Sequence, residues 1–242
     1  MFRITLLALA VSAAAAVSTP AQTVDEVIAR SLEARGGLAR LKATQSVLMQ
    51  ARVTQGGHTT PLTIEMKRPG RFRADFKADG APAVMAWDGR EAWGLSPVSH
   101  RPERLPEEAA RGMAERADLD GPLVDYVAKG HRLAIEGKSQ IGERYAYRIR
   151  VTKKSGDLEY HFIDERSWLP VRVESRQVGP RGPVVAVSNF GDYREVAGFL
   201  WPYTIENEIE GVPEGQTIRI EKLEANLEID DARFSLAAST RN

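Results

Sequence analysis

From residue 62 to residue 223 apolar and polar side chains repeatedly change places at every position, and this period of two is what most limits the fold. Leu62, Ile64 and Met66 alternate with Thr63, Glu65 and Lys67, and Phe72, Ala74 and Phe76 alternate with charged residues. Tyr145, Tyr147, Ile149 and Val151 share one face, with Arg148 and Arg150 on the other. Leu158, Tyr160 and Phe162 stand against Glu159 and His161, and Leu169, Val171 and Val173 against Arg172 and Glu174. Further runs lie at 183–190, 203–209 and 216–223. A strand points successive side chains to opposite faces, so each run reads as a strand with one dry and one wet face. Such strands build antiparallel sheets, and the turn residues between them, at 155–157, 179–182 and 211–215, fit short connections. A single sheet of about ten strands must curl, close or split. The charged wet face argues against burial on both sides. The expected fold is therefore mainly β with some α: a curled, open antiparallel sheet with a concave apolar face.

Few helices are available to cover that face, so a hydrophobic cavity is the expected consequence. Thr23 and Glu26 have the T-x-x-E spacing of a capping box, and Val24, Val27, Ile28 and Leu32 recur at helical spacing. Gly36-Gly37 ends this helix, and a short second piece, 38–43, follows. The interval 102–131 breaks the two-residue period. Pro106, Glu107 and Glu108 suit a first helical turn, and Leu105, Ala109, Met113 and Ala117 share a face that Gly112 weakens. Asp118-Leu119-Asp120-Gly121 then turns into a second short apolar segment, 122–127.

The first residues have the pattern of a secretory signal. Arg3 precedes an apolar run, Ile4 to Val17, and Thr19-Pro20-Ala21 offers a cleavage site before Gln22. The run is short for a membrane span, which needs roughly 20 residues. The expectation is a signal peptide, 1–21, and a single exported domain, 22–242. Cysteine is absent, so stability must come from the core and not from disulfides. The 33 basic residues balance 33 acidic ones, and loss of Arg3 leaves one excess negative charge. A neutral chain has no global attraction for nucleic acid, so function should lie in shape and apolar surface.

Candidate chemistry is sparse. In Val84 to Pro97 two tryptophans flank Asp88-Gly89, a strong hairpin signal that explains Asp88 as a turn residue and not an acid catalyst. A two-residue loop would put Trp87 and Trp93 on opposite faces, and a three-residue loop would put them on the same face; the sequence allows both. His58, His100, His131 and His161 show no metal-ligand spacing, and His161 alternates onto the wet face. There is no G-x-S-x-G elbow and no cysteine nucleophile. The turn 179–182 contains a proline that removes an amide donor, so it is a poor phosphate cradle. No catalytic residue, metal or cofactor is expected.

The segment "KRPGRFRADF" at 67–76, followed by "VMAWDGREAWGLSP", resembles the paired signature of the LolA-like lipoprotein carriers, with Arg90 in place of a lysine and Gly94-Leu95 in place of an aromatic residue. "ARSLEARGGLARLKATQSV" and "ADLDGPLVDYVAKGH" are similar to segments of a broader group of outer-membrane lipoprotein-sorting proteins. The resemblance implies an open antiparallel half-barrel with helices as a lid. It also implies a periplasmic carrier of acyl chains, from lipoproteins or another envelope lipid, that works between an inner-membrane donor and an outer-membrane acceptor. Arg68 stands at the position whose arginine latches the lid by hydrogen bonds to helix and loop carbonyls. The apolar faces supply the candidate cavity walls: Leu62, Ile64, Met66, Phe72, Phe76, Trp87, Trp93, Tyr147, Ile149, Phe162 and Val171. The runner-up is a lipid-sensing regulatory module of the same fold that binds a membrane partner. An enzyme ranks third.

Overall fold

The computed structural model describes residues 22–78, 80–98, 100–179 and 182–236; the expected signal, 1–21, lies outside them. Helix α1 (Val24–Ala34) starts with the capping box: the Thr23 hydroxyl accepts from the Glu26 amide at 3.2 Å, and Glu26 Oε2 accepts from the Thr23 amide at 2.9 Å. It stops at Gly36, whose φ of +115° a side chain would resist. There the chain also touches the sheet, since a Cβ on Gly36 would lie 2.1 Å from the Gly198 carbonyl oxygen. Helix α2 (Leu38–Ala43) follows where the sequence places it.

The strands are β1 (Ser46–Gln55), β2 (His58–Lys67), β3 (Arg71–Ala78), β4 (Ala81–Trp87), β5 (Ala92–Leu95) and β6 (Pro102–Arg104). After helix α3 (Glu107–Arg116) come β7 (Arg132–Ile141), β8 (Arg144–Thr152), β9 (Leu158–Asp164), β10 (Pro170–Gly179), β11 (Gly182–Val196), β12 (Phe199–Ile209) and β13 (Gln216–Ala225). They form one antiparallel sheet of 13 strands in the order β6-β5-β4-β3-β2-β1-β13-β12-β11-β10-β9-β8-β7. The chain begins in the middle, steps outward to β6, crosses through α3 and residues 117–131, and steps back inward from β7. Edges β6 and β7 are not paired with each other, so the sheet is open and not a closed barrel. The count is 13 and not about ten. The strands additional to the runs above are β1, which begins with apolar residues on both faces, the three-residue β6, and β7, whose register shifts between Ile135 and Lys138.

The helices lie on one face, here called inner. Val27 and Ile28 of α1 pack on Tyr147, Ile149, Val151 and Ile163, a dry core at the β7–β9 end. Near the middle Leu119 packs on Val47, Ala51, Tyr203, Ile220 and Leu223. The outer face is less wet than its charges suggest. Residues 227–236 run across it and end in a 3-10 turn, Asp231–Phe234. Lys67 Nζ donates to the Ile229 carbonyl at 2.7 Å, and Arg233 donates twice to Glu65 at 3.0 Å. Phe234 is fully buried there.

Candidate functional site

Over β1–β4 and β13 the inner face is not filled. A cavity of about 930 Å³ lies there, walled by Val53, Leu62, Phe72, Ala74, Phe76 and Met85 and roofed by Met113 of α3. Pairing explains the wall. Met66, Ile64 and Leu62 of β2 stand opposite Phe72, Ala74 and Phe76 of β3, which in turn stand opposite Trp87, Met85 and Ala83 of β4. Phe72, Ala74 and Met113 are buried, whereas Gln55, His58, Lys77, Gly80 and Arg116 are exposed. The mouth is therefore at the β1–β2 and β3–β4 turns.

The opposite end is closed by polar contacts around Arg68. The Arg68 Nε donates to the Thr44 carbonyl at 2.8 Å, and Nη2 donates to the Leu41 carbonyl at 3.2 Å, the last carbonyls of α2. The same guanidinium meets Asp120 with both forks, at 2.5 and 3.2 Å. Lys42 adds a bond of 2.6 Å to Asp120 and another of 2.6 Å to Asp125. The Asp120 carboxylate is 8% exposed. Burial alone would raise its pKa, but Arg68 and Lys42 hold it below the usual carboxylate value. One arginine at the end of β2 thus joins the sheet, α2 and the segment that crosses the inner face. The family resemblance, and not the residue pattern itself, points to Arg68 and to the carbonyls. The sequence gives no sign of Asp120, which reads there as a turn residue.

On the other side of α3 lies a charged cavity of about 690 Å³, lined by residues including Glu108, Glu115, Asp118, Asp157, Glu159 and Lys153. Lys153 joins Glu115 of α3 to Glu159 of β9, at 2.6 Å each, and Glu159 meets His161 at 3.0 Å. Burial would raise the Glu159 pKa, but the His161 ring and the Lys153 ammonium hold it at about 2. A third cavity, about 200 Å³, lies between α1 and β9–β12. Tyr193 lines it and donates to the Pro170 carbonyl at 2.7 Å; burial pushes its phenol up to about 12. Among the described residues no group of three or more His, Cys, Asp or Glu is placed to hold a metal ion.

The candidate wall residues divide three ways. Leu62, Phe72 and Phe76 line the large cavity, and Ile64, Met66 and Trp87 pack beside them on the same face. Tyr147 and Ile149 face inward but are packed under α1, with the Tyr147 ring stacked on Trp168 at 5.3 Å. Trp93, Phe162 and Val171 lie on the outer face. The 84–97 hairpin has neither loop length considered above: Trp87 pairs with Ala92 across a four-residue turn, 88–91, in which the Asp88 carboxylate accepts from the Arg90 and Glu91 amides at 2.8 Å. This puts Trp93 opposite Ala86, on the outer side, where its indole donates to the Phe234 carbonyl at 2.6 Å. Phe162 pairs with Arg148, so it clusters outside with Ala146 and Val171, while Glu159 and His161 turn inward. In β9 the charged residues, and not the aromatic ones, face the helices.

A single open antiparallel sheet, with helices and a large cavity over an apolar floor on one face, defines the class of fold. That fold is LolA-like. Solved structures that share it are a LolA superfamily protein from Nitrosomonas europaea (14% identity, TM-score 0.59, covering 89% of this chain and 98% of that one), a DUF1329 family protein from Desulfovibrio piger (13%, 0.62, 90% and 99%), and a Vibrio parahaemolyticus domain described as an outer membrane lipoprotein-sorting protein (11%, 0.63, 90% and 98%). No protein-family model and no curated protein matches the sequence. Among the described residues no helix is long and apolar enough to cross a membrane.

Proposed function

We propose that this chain is a periplasmic carrier, not an enzyme, that shields an acyl chain of a lipoprotein or another envelope lipid and passes it from an inner-membrane donor to an outer-membrane acceptor. The observation that carries this reading is the 930 Å³ cavity with apolar walls. Its size lies at the upper end of small-molecule sites, roughly 300–1,000 Å³. Each methylene moved out of water contributes about 0.8 kcal/mol, so a long acyl chain gains on the order of 10 kcal/mol. Handover then requires an acceptor with a drier site, and no energy source within the chain. Arg68 is the latch in this reading, since it ties the crossing segment below α3 to the sheet.

The test is mass spectrometry of an organic extract from the purified protein, together with titration of a hydrophobic dye and its displacement by fatty acid. Co-purifying lipid and saturable, displaceable dye support the carrier. Val53→Trp, which places bulk in the wall, should abolish both in a folded protein. A well-folded wild-type sample with neither lipid nor dye binding would overturn the reading.

A further inference from the structure

We infer that the lipid taken by this cavity carries an anionic head group, held at the mouth by the Arg116 guanidinium. The inference rests on the carrier reading and adds the class of lipid. Among the described residues that line the cavity there is no carboxylate, whereas Arg116, Lys77 and His58 are basic and the remaining polar residues are neutral. Arg116 is exposed and has no ion pair or hydrogen bond among the described residues. The nearest acids in sequence are already engaged: Glu115 meets Lys153 at 2.6 Å, and Asp118 meets Lys129 at 2.5 Å.

Among the described lining residues, carboxylates stand on only one side of α3. The 690 Å³ cavity beyond it, which Arg116 also lines, mixes the carboxylates Glu108, Glu115, Asp118, Asp157 and Glu159 with the cations Arg111, Lys153 and Arg176. The described residues of the cavity above β1–β4 are cations and neutral groups. A lipid with its chain along Phe72, Ala74 and Met113 has its head at the exposed end, beside Arg116. A guanidinium there offers up to five N–H donors in a planar fork that fits the oxygens of a carboxylate or a phosphate. The plainer account of Arg116 is a solvated cation that complements the C-terminal end of the α3 dipole. That role predicts no effect on lipid selection.

Dye displacement from the purified protein by three probes of equal chain length separates these accounts: palmitic acid, methyl palmitate and palmitoyl lysophosphatidic acid. We expect at least one anionic probe to displace the dye at about ten-fold lower concentration than the ester, the size of a lost charge-assisted hydrogen bond. Arg116→Gln should shrink that preference to less than about three-fold and leave the ester unchanged, with partial recovery in Arg116→Lys. Whether the acid or the lysophosphatidic acid gains more identifies the head as carboxylate or phosphate. Equal displacement by all three probes, or a preference that survives Arg116→Gln, overturns the head-group inference and leaves the carrier standing. No displacement by any probe overturns both.

Discussion

Replacing Arg68 with leucine should cost about 2–3 kcal/mol of stability at pH 7, and much of that cost should vanish in acid. Breaking a fully buried ion pair costs about 3–5 kcal/mol. Two features reduce the figure here. Arg68 keeps 22% exposure, and Asp120 keeps its bond to Lys42 after the substitution. Of the two carbonyls that Arg68 serves, Leu41 keeps the Thr44 amide at 3.1 Å whereas Thr44 loses its side-chain donor, and each lost bond contributes about 1 kcal/mol. The folded pKa of Asp120 is depressed, so its contribution is complete above the ordinary carboxylate value, near 4, and is lost as pH falls through the depressed value. Urea titrations of wild type and Arg68→Leu at pH 7 and at the lowest pH where both remain folded measure the two differences. The gap should narrow in acid, leaving the part due to the carbonyls. A gap below about 0.5 kcal/mol at pH 7, the size of an exposed pair, would refute the view that Arg68 holds these elements together. A gap that is unchanged in acid would refute the part assigned to Asp120.

Glu159→Gln should destabilise by at most about 3 kcal/mol at pH 7, because the carboxyl sits near 2 instead of 4.5; the loss should fade between those two values, as followed by acid unfolding. Gly36→Ala should cost about 2 kcal/mol or more in thermal or urea unfolding, because its φ is left-handed and its Cβ would meet the Gly198 carbonyl. Trp93→Phe should cost about 1–3 kcal/mol by leaving the Phe234 carbonyl without its donor, yet leave lipid or dye binding unchanged because the indole lies on the outer face.

Strand existence was legible from the two-residue period, since Leu62, Ile64 and Met66 do share one face with Phe72 and Phe76. Helix limits were legible from Thr23, Glu26 and Gly36-Gly37, which act through local backbone chemistry. Which face is dry was less legible. Period two assigns residues to two sides without saying which side the helices cover, and in β9 both sides have reason to be buried. Phe162 finds cover outside, with Ala146 and Val171, while Glu159 is held inside by Lys153 and His161. Trp93 was unplaceable for a related reason: one residue of turn length reverses its face, and its cover, residues 227–236, arrives from the far end of the chain. The partner of Arg68 was hidden in the same way, because Asp120 lies 52 positions away and meets it through the crossing segment.

The sheet order also dictates how the chain must assemble. From β1 to β6, and again from β7 to β13, each strand pairs with its neighbour in sequence, so both halves are meanders that form by short-range closure. The seam between them is different. It joins β1 to β13, and its Arg52 and Glu221 stand 169 positions apart. The entropy of closing so long a loop is spent at one pairing, which favours two locally ordered halves first and the seam last. Val47, Ala51, Ile220 and Leu223 straddle that seam beneath Leu119. Shaving Ile220 to valine should therefore speed unfolding far more than it slows refolding, whereas a comparable cut within a meander, such as Ile149 to valine, should slow refolding more.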